Sequence, residues 1–198
     1  MLNLLKYFPT IIGCAINPNH FEIEKNLIEK CYEIKKYTKS GSDSWISDKT
    51  YSTMGTYDIK NDLDFSQLNN YVNTNVINYC EQMKIDVKKV DINPSSSWFN
   101  IYNKGDFQEF HQHSHNIISA IYILKSDKNS GKIYFKNPYN DMLSPAYTEY
   151  TPDNFERINF KPQPGMLLIF RSHLEHYVDK NNSDEDRISF AYNYRPII

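Results

Sequence analysis

Five of the chain's six histidines fall in two short segments, His111-Gln-His113-Ser-His115 and His173-Leu-Glu-His176. On an extended backbone residues i and i+2 share a face, so His111 and His113 can offer two imidazoles to one metal ion. A third ligand from a distant strand completes a three-residue set and leaves coordination positions open for chemistry. His176 is the candidate for that third place. It follows an apolar run, Met166 to Phe170, and precedes Tyr177-Val178. His115 has the right parity but is expected to line the pocket or lie beyond a bend. His173 is expected at the surface or behind the ligands. Surface or hydrogen-bonded histidines are the competing reading, and the clustering disfavours it.

Arginine supplies the second chemical signal. The chain holds 22 basic residues, of which only Arg157, Arg171, Arg187 and Arg195 are arginine. A chain that uses lysine wherever a generic positive charge will do places a planar guanidinium for a reason. Arg187 lies eleven residues after His176, and Ser189 follows on the same face of an alternating segment. A guanidinium fork with a hydroxyl beside it suits a buried carboxylate, through charge-assisted bonds and one neutral donor. An ordinary salt bridge is the competing use of Arg187.

The elements that must position these groups fall into two regions. In the first, Asn17 is a candidate cap with Pro18 at the first helical position. Phe21, Ile23, Leu27, Ile28, Cys31, Tyr32 and Ile34 then recur near helical spacing. A second helix is expected from Asp64, with Phe65, Leu68, Val72, Val76, Ile77, Cys80 and Met83 on its apolar side. The fairly apolar start, Met1 to Ile16, reads as a first strand. From about residue 91 the pattern changes to short strands: Ser96 to Tyr102, Ile117 to Leu124, Lys132 to Phe135, Gly165 to Phe170 and Arg187 to Tyr194. Gly105, Gly131 and Gly165 sit where turns are wanted. In the last strand Ile188, Phe190, Tyr192 and Tyr194 share one face, free to pack on the helices. Arg187, Ser189, Ala191 and Asn193 share the other, suited to a polar ligand.

The expected fold is mainly β (α+β): a double-stranded β-helix, or cupin-like jelly roll, with the N-terminal helices packed outside one sheet. Its 198 residues suit one domain, with residues 1–90 as helical support and 91–198 as the jelly-roll core. The long connection from Asn137 to Glu156 is a lid, a binding loop or a plain surface excursion. A net charge of −2 argues against sequence-independent nucleic-acid binding. No stretch has the length of a membrane span. Cys14, Cys31 and Cys80 form no paired framework, which points to reduced thiols and a cytoplasmic setting.

Taken together these residues resemble the 2-oxoglutarate/iron(II) oxygenases, and within them a small bacterial and phage subfamily akin to the prolyl 4-hydroxylases. The stretch from Trp98 to His113 resembles the entry to the metal site, with Gly105 six residues before the first ligand. Ser119-Ala-Ile-Tyr-Ile-Leu resembles the strand that follows. Pro164 to Phe170, with Ser172, Leu174, His176 and Val178, resembles the second metal segment. Arg187-Ile-Ser189-Phe-Ala-Tyr-Asn193 resembles the cosubstrate strand. The likeness runs from about residue 95 to the end and more loosely through the helices.

This resemblance implies iron(II) held by His111, His113 and His176, with 2-oxoglutarate and O2 as cosubstrates. Arg187 and Ser189 would bind the remote carboxylate, and Tyr122 is a candidate for a further hydrogen bond or for a place in the core. Asn100, His115 and Asn193 are candidates for lining the pocket or buttressing the ligands. The implied reaction releases succinate and CO2 and hydroxylates a protein, peptide or amino-acid substrate, a prolyl residue among the candidates. Tyr-rich loops near residues 51–57 and 139–150 would form its groove or cover the core. The wider superfamily carries Asp or Glu where this chain has His113, so a three-imidazole site suits zinc as well. A zinc enzyme on a cupin-like barrel, with Glu as base, is therefore one rival reading. A jelly-roll ligand-binding module without enzymatic activity is the other.

Overall fold

In a computed structural model of the chain, residues 3, 7–47, 49–139 and 145–197 are described. Two antiparallel sheets face one another. The larger draws on β1 (Ile12–Ile16), β2 (Tyr51–Ser52), β3 (Ser96–Tyr102), β5 (Ile118–Lys125), β8 (Met166–Arg171) and β10 (Arg187–Tyr194), in the order β1-β8-β5-β10-β3-β2. The smaller is built from β4 (Gln108–His111), β6 (Ile133–Lys136), β7 (Arg157–Phe160) and β9 (His176–Val178), in the order β4-β9-β6-β7. Apart from β2–β3 and β6–β7, paired strands are not consecutive in the chain, as in a jelly roll.

Period-two alternation sorts each strand into two environments. On β10, Ile188, Phe190, Tyr192 and Tyr194 join a core with Leu27, Cys31 and Ile34 of α1 (His20–Lys35) and Leu68, Val72 and Val76 of α2 (Ser66–Gln82). The helices thus cover the outer face of the larger sheet, as the last strand's pattern predicts. Between the sheets lies a second cluster: Ile121, Ile123, Ile133, Phe135, Met166, Leu168, Phe170 and Leu174. This is the space into which Arg187, Ser189 and Asn193 point, all three buried.

Both helix starts differ from expectation. The Asn17 carboxamide oxygen accepts the Asn19 N–H, and its nitrogen donates to the Tyr122 hydroxyl. Its side chain therefore closes a local turn and ties the chain to β5, and α1 begins at His20. Asp64 does not cap α2. A short 3-10 turn, Leu63–Phe65, comes first, and Asp62 accepts the Asp64 N–H at its head. Strand β1 begins at Ile12, so the expected strand reached too far toward the start, and Met1, Leu2 and Leu4 to Lys6 lie outside the described residues. Strands β5, β6 and β8 each start and end one residue later than expected. Short strands β4, β7 and β9 carry no periodic signal in the sequence. All three cysteines are free thiols. Among the described residues no helix is long and apolar enough to cross a membrane.

Candidate metal and cosubstrate site

Strand β4 pairs with β9 so that His111 lies opposite His176. His113, two residues beyond the end of β4, is held by its backbone N–H to the Ser172 carbonyl at 3.0 Å. The outcome is one cluster in which His111, His113 and His176 each offer a ring nitrogen within 4.8 Å of the others. Among the described residues no carboxylate or thiol joins this group. Asp106 instead accepts the Asn103 N–H, Glu109 accepts the Ile46 N–H, and Glu175 pairs with Lys136. His115 is exposed in a turn at φ 66° and does not join the three, and His173 is exposed.

Phe135 and Phe170 lie against His176, with ring centroids 5.6 and 4.9 Å away, and Trp98 lies 5.8 Å from His113. This apolar wall disfavours the imidazolium form. Burial pushes the pKa of His113 down to about 3, with the neighbouring His111 adding to the effect. Burial also lowers His111 and, more strongly, His176. Three neutral imidazoles gathered around one point are a ligand set suited to a divalent metal ion.

Arg187 lies elsewhere in the same interior, at the start of β10, fully buried. Among the described residues its Nε, Nη1 and Nη2 atoms have no hydrogen-bond partner. A guanidinium so placed is a heavy cost unless an anion meets it. Its neighbours are polar. Tyr102 sits opposite it in the β3–β10 register, and the guanidinium carbon lies 5.1 Å from the Tyr102 ring centre. Asn100 sits opposite Ser189, and its Oδ1 is also buried and unpartnered. Burial pushes the Tyr102 phenol up to about 12, so it stays protonated and able to donate. The Tyr102 hydroxyl donates to Gln108 at 3.1 Å, three residues before His111. Asn193, on the same face of β10 as Arg187 and Ser189, lies 3.3 Å from His113 Nδ1, so the guanidinium and the imidazoles are on the same side of this strand. These residues fit both groups at issue: a divalent metal at the histidines and a carboxylate at the arginine.

Tyr122 is a correction. It faces the helices and not the barrel interior. Its hydroxyl lies 2.8 Å from His20 Nδ1, and on β5 it pairs with Phe190, on the face opposite to Arg187 and Ser189. The tyrosine that sequence reasoning missed is Tyr102. Parity alone could have found it, because Trp98, Asn100 and Tyr102 alternate on one face of β3.

Residues 96–193 match the family described as "Putative 2OG-Fe(II) oxygenase". The chain belongs to the 2-oxoglutarate/iron(II) oxygenases. It is an oxygenase that uses iron(II) and 2-oxoglutarate. The zinc-enzyme and binding-module readings are set aside. Similar folds include a prolyl-4-hydroxylase from Pseudomonas putida, 12% identical over 94% of this chain and 93% of that one, with a TM-score of 0.63. HygX from Streptomyces hygroscopicus, solved with nickel, 2-oxoglutarate and hygromycin B, is 11% identical over 96% and 84%, with a TM-score of 0.63. A Trichoplax adhaerens prolyl hydroxylase, solved with a hypoxia inducible factor peptide fragment, is 11% identical over 92% and 83%, also at 0.63. At such identities the likeness is one of fold. A comparison with curated protein sequences finds no significant match.

Beside His111 the surface opens into a cavity of about 560 Å³, lined by Phe110, Gln112, Lys136, Asn137, His173 and Glu175 among others. Lys136 and Asn137 also line a neighbouring cavity of about 630 Å³, whose walls include Tyr7, Phe8, Tyr139, Tyr147 and Phe155. The connection from Asn137 to Glu156 thus contributes to a cavity wall, although residues 140–144 lie outside the described part. Tyr51 and Tyr57 pack on the helical core and cover it, away from these cavities.

Proposed function

We propose that His111, His113 and His176 hold the iron and that Arg187, Ser189 and Tyr102 receive the remote carboxylate of 2-oxoglutarate. The substrate is a peptide or protein segment, with a prolyl residue as the first candidate for hydroxylation. The observation that carries the cosubstrate assignment is the fully buried Arg187 whose three nitrogens find no partner among the described residues. A dicarboxylate with its far end on this guanidinium would satisfy them and leave its keto-acid end for the metal.

When bound, iron(II) and 2-oxoglutarate activate O2, with loss of the keto acid as succinate and CO2 and transfer of one oxygen atom to substrate. The chain's own residues supply placement and dryness. The three imidazoles would hold the ion and leave room beside it for the keto acid and O2. The guanidinium fork would fix the orientation of the bound cosubstrate. Trp98, Phe135 and Phe170 keep bulk water from the centre. The cavity beside His111 and its neighbour, which share Lys136 and Asn137, are the candidate seat of the substrate, and the peptide held by the Trichoplax adhaerens prolyl hydroxylase of similar fold supports a peptide there.

Anaerobic addition of Fe(II) and then 2-oxoglutarate to metal-free protein tests the assignment. A weak visible charge-transfer band that needs both additions is expected, and Arg187→Ala should weaken it. Absence of the band with tight zinc binding would overturn it. Succinate release coupled to a 16-Da gain on Pro-containing peptides tests the substrate class.

A further inference from the structure

Three imidazoles that face one point need not offer the same atom to it. Nδ1 of His111 lies 2.9 Å from the Glu109 carbonyl oxygen, and Nδ1 of His176 lies 2.9 Å from that of Leu174. A carbonyl only accepts, so both Nδ1 atoms carry the proton and both Nε2 atoms keep their lone pairs. These two ligands are preset for a metal by the backbone.

His113 has a different partner. Its Nδ1 lies 3.3 Å from Asn193 Nδ2, which also reaches Ser96 Oγ at 3.2 Å. The other end of the carboxamide, Oδ1, accepts from the Ser119 hydroxyl at 2.7 Å, and Ser119 Oγ lies 2.9 Å from Ser172 Oγ. In this polarity the carboxamide is an acceptor at Ser119 and a donor at His113. Nδ1 of His113 must then be the acceptor, and its single proton sits on Nε2. That proton occupies the lone pair a metal would take. A half-turn of the carboxamide exchanges oxygen and nitrogen with almost no change of shape. Nδ2 then donates to Ser119, whose hydroxyl turns to Ser172. Oδ1 accepts from Ser96 and from Nδ1–H of His113, and the lone pair on Nε2 is released.

We propose that Asn193 is a positioning residue that sets the tautomer of His113, and that metal binding turns its carboxamide over. The site then consists of two preset ligands and one that is switched. This rests on the reading that the three histidines hold the metal. A carboxylate in the place of His113 would need no tautomer, so the imidazole there creates a demand for a partner of adjustable polarity. Asn193, buried inside a hydroxyl network that can run in either direction, meets that demand.

Nitrogen-15 imidazole spectra of the full chain, metal-free and loaded with zinc as a diamagnetic probe, read the three tautomers directly. His111 and His176 should carry the Nδ1 proton in both states, and His113 should move its proton from Nε2 to Nδ1 on loading. Asn193→Asp, which can only accept, should place the His113 proton on Nδ1 without metal and bind zinc at least as tightly as the unaltered chain. Asn193→Leu should weaken zinc binding by about 10–100-fold. A His113 proton already on Nδ1 in the metal-free chain overturns the proposal, and so does unchanged affinity in a folded Asn193→Leu variant. Should that variant not fold, the spectra of the unaltered chain and of Asn193→Asp still decide. Zinc uptake with an unmoved His113 proton defeats this proposal alone. No uptake of either zinc or Fe(II) by the unaltered chain defeats the metal assignment and this proposal with it.

Discussion

A buried guanidinium without a partner works against folding, and Arg187 shows how far the chain sacrifices stability for a ligand. Its pKa is lowered by burial, yet a guanidinium keeps its proton, so the charge stays in the interior. Arg187→Met, similar in length and uncharged, should therefore stabilise the cosubstrate-free protein by about 1–4 kcal/mol. The same variant should lose 2-oxoglutarate binding. Urea melts and titration of the charge-transfer band check the two halves, and a destabilised variant would mean that the guanidinium has a protein partner. The two tyrosines make a second comparison at this scale. Tyr102→Phe removes the hydroxyl beside Arg187, whose single proton would turn from Gln108 to the carboxylate, and should weaken 2-oxoglutarate about 2–10-fold, the worth of one net hydrogen bond. Tyr122→Phe should leave that affinity alone. It removes the hydroxyl that meets His20 and Asn17, so it should cost about 1–3 kcal/mol of stability. Equal effects of the two variants on 2-oxoglutarate would contradict the opposite orientations of these side chains.

At the scale of elements, legibility followed the length of the periodic signal. Strand β10 was readable to the residue because eight positions alternate without a break, and β3 because seven residues between turn-formers are rich in aromatic and β-branched types. The three- and four-residue strands β4, β7 and β9 are too short for a period to show, although β4 and β9 bring His111 and His176 together. Their pairing depends on contacts distant in sequence. The helix starts were misplaced because Asn17 and Asp62 spend their side chains on turns ahead of the helices. Of the two places open to Tyr122 from the sequence, cosubstrate pocket or core, the structure gives the core, because its register partner Phe190 lies on the helix-covered face of β10. Gly131 shows what a turn residue does for the site. A Cβ at this position would lie 1.9 Å from the Asp179 carbonyl oxygen, just after β9. Gly131→Ala should force this backbone apart, cost about 1–3 kcal/mol and weaken metal binding through His176. Thermal melts and zinc titration of the same preparation measure both, and an unshifted melt would show that the two segments can separate freely.

For the whole molecule, three neutral imidazoles packed inside one barrel tie stability to pH. Burial holds His111, His113 and His176 below the ordinary value of 6.5, His113 at about 3. Above pH 6.5 neither the folded nor the unfolded chain binds a proton at these positions, so their contribution is level. Below 6.5 the unfolded chain takes up protons that the folded one refuses, and stability falls by about 1.4 kcal/mol per pH unit for each such group. The fall ends only as pH passes through the folded-state values. Metal-free protein should therefore lose stability steeply between pH 6.5 and 5, and His113→Gln should lose it less steeply by one group's share. A saturating divalent metal adds stability through mass action, about 2.7 kcal/mol when it is present at 100 times its Kd. Because protons compete for the same lone pairs, that increment should itself shrink as the pH falls. Urea melts at pH 7, 6 and 5, with chelator and with zinc, measure the slope and the increment separately. Equal stability of the metal-free protein at pH 7 and pH 5 would mean that the imidazoles are protonated in the folded state, and a centre of three charged rings could not hold a cation.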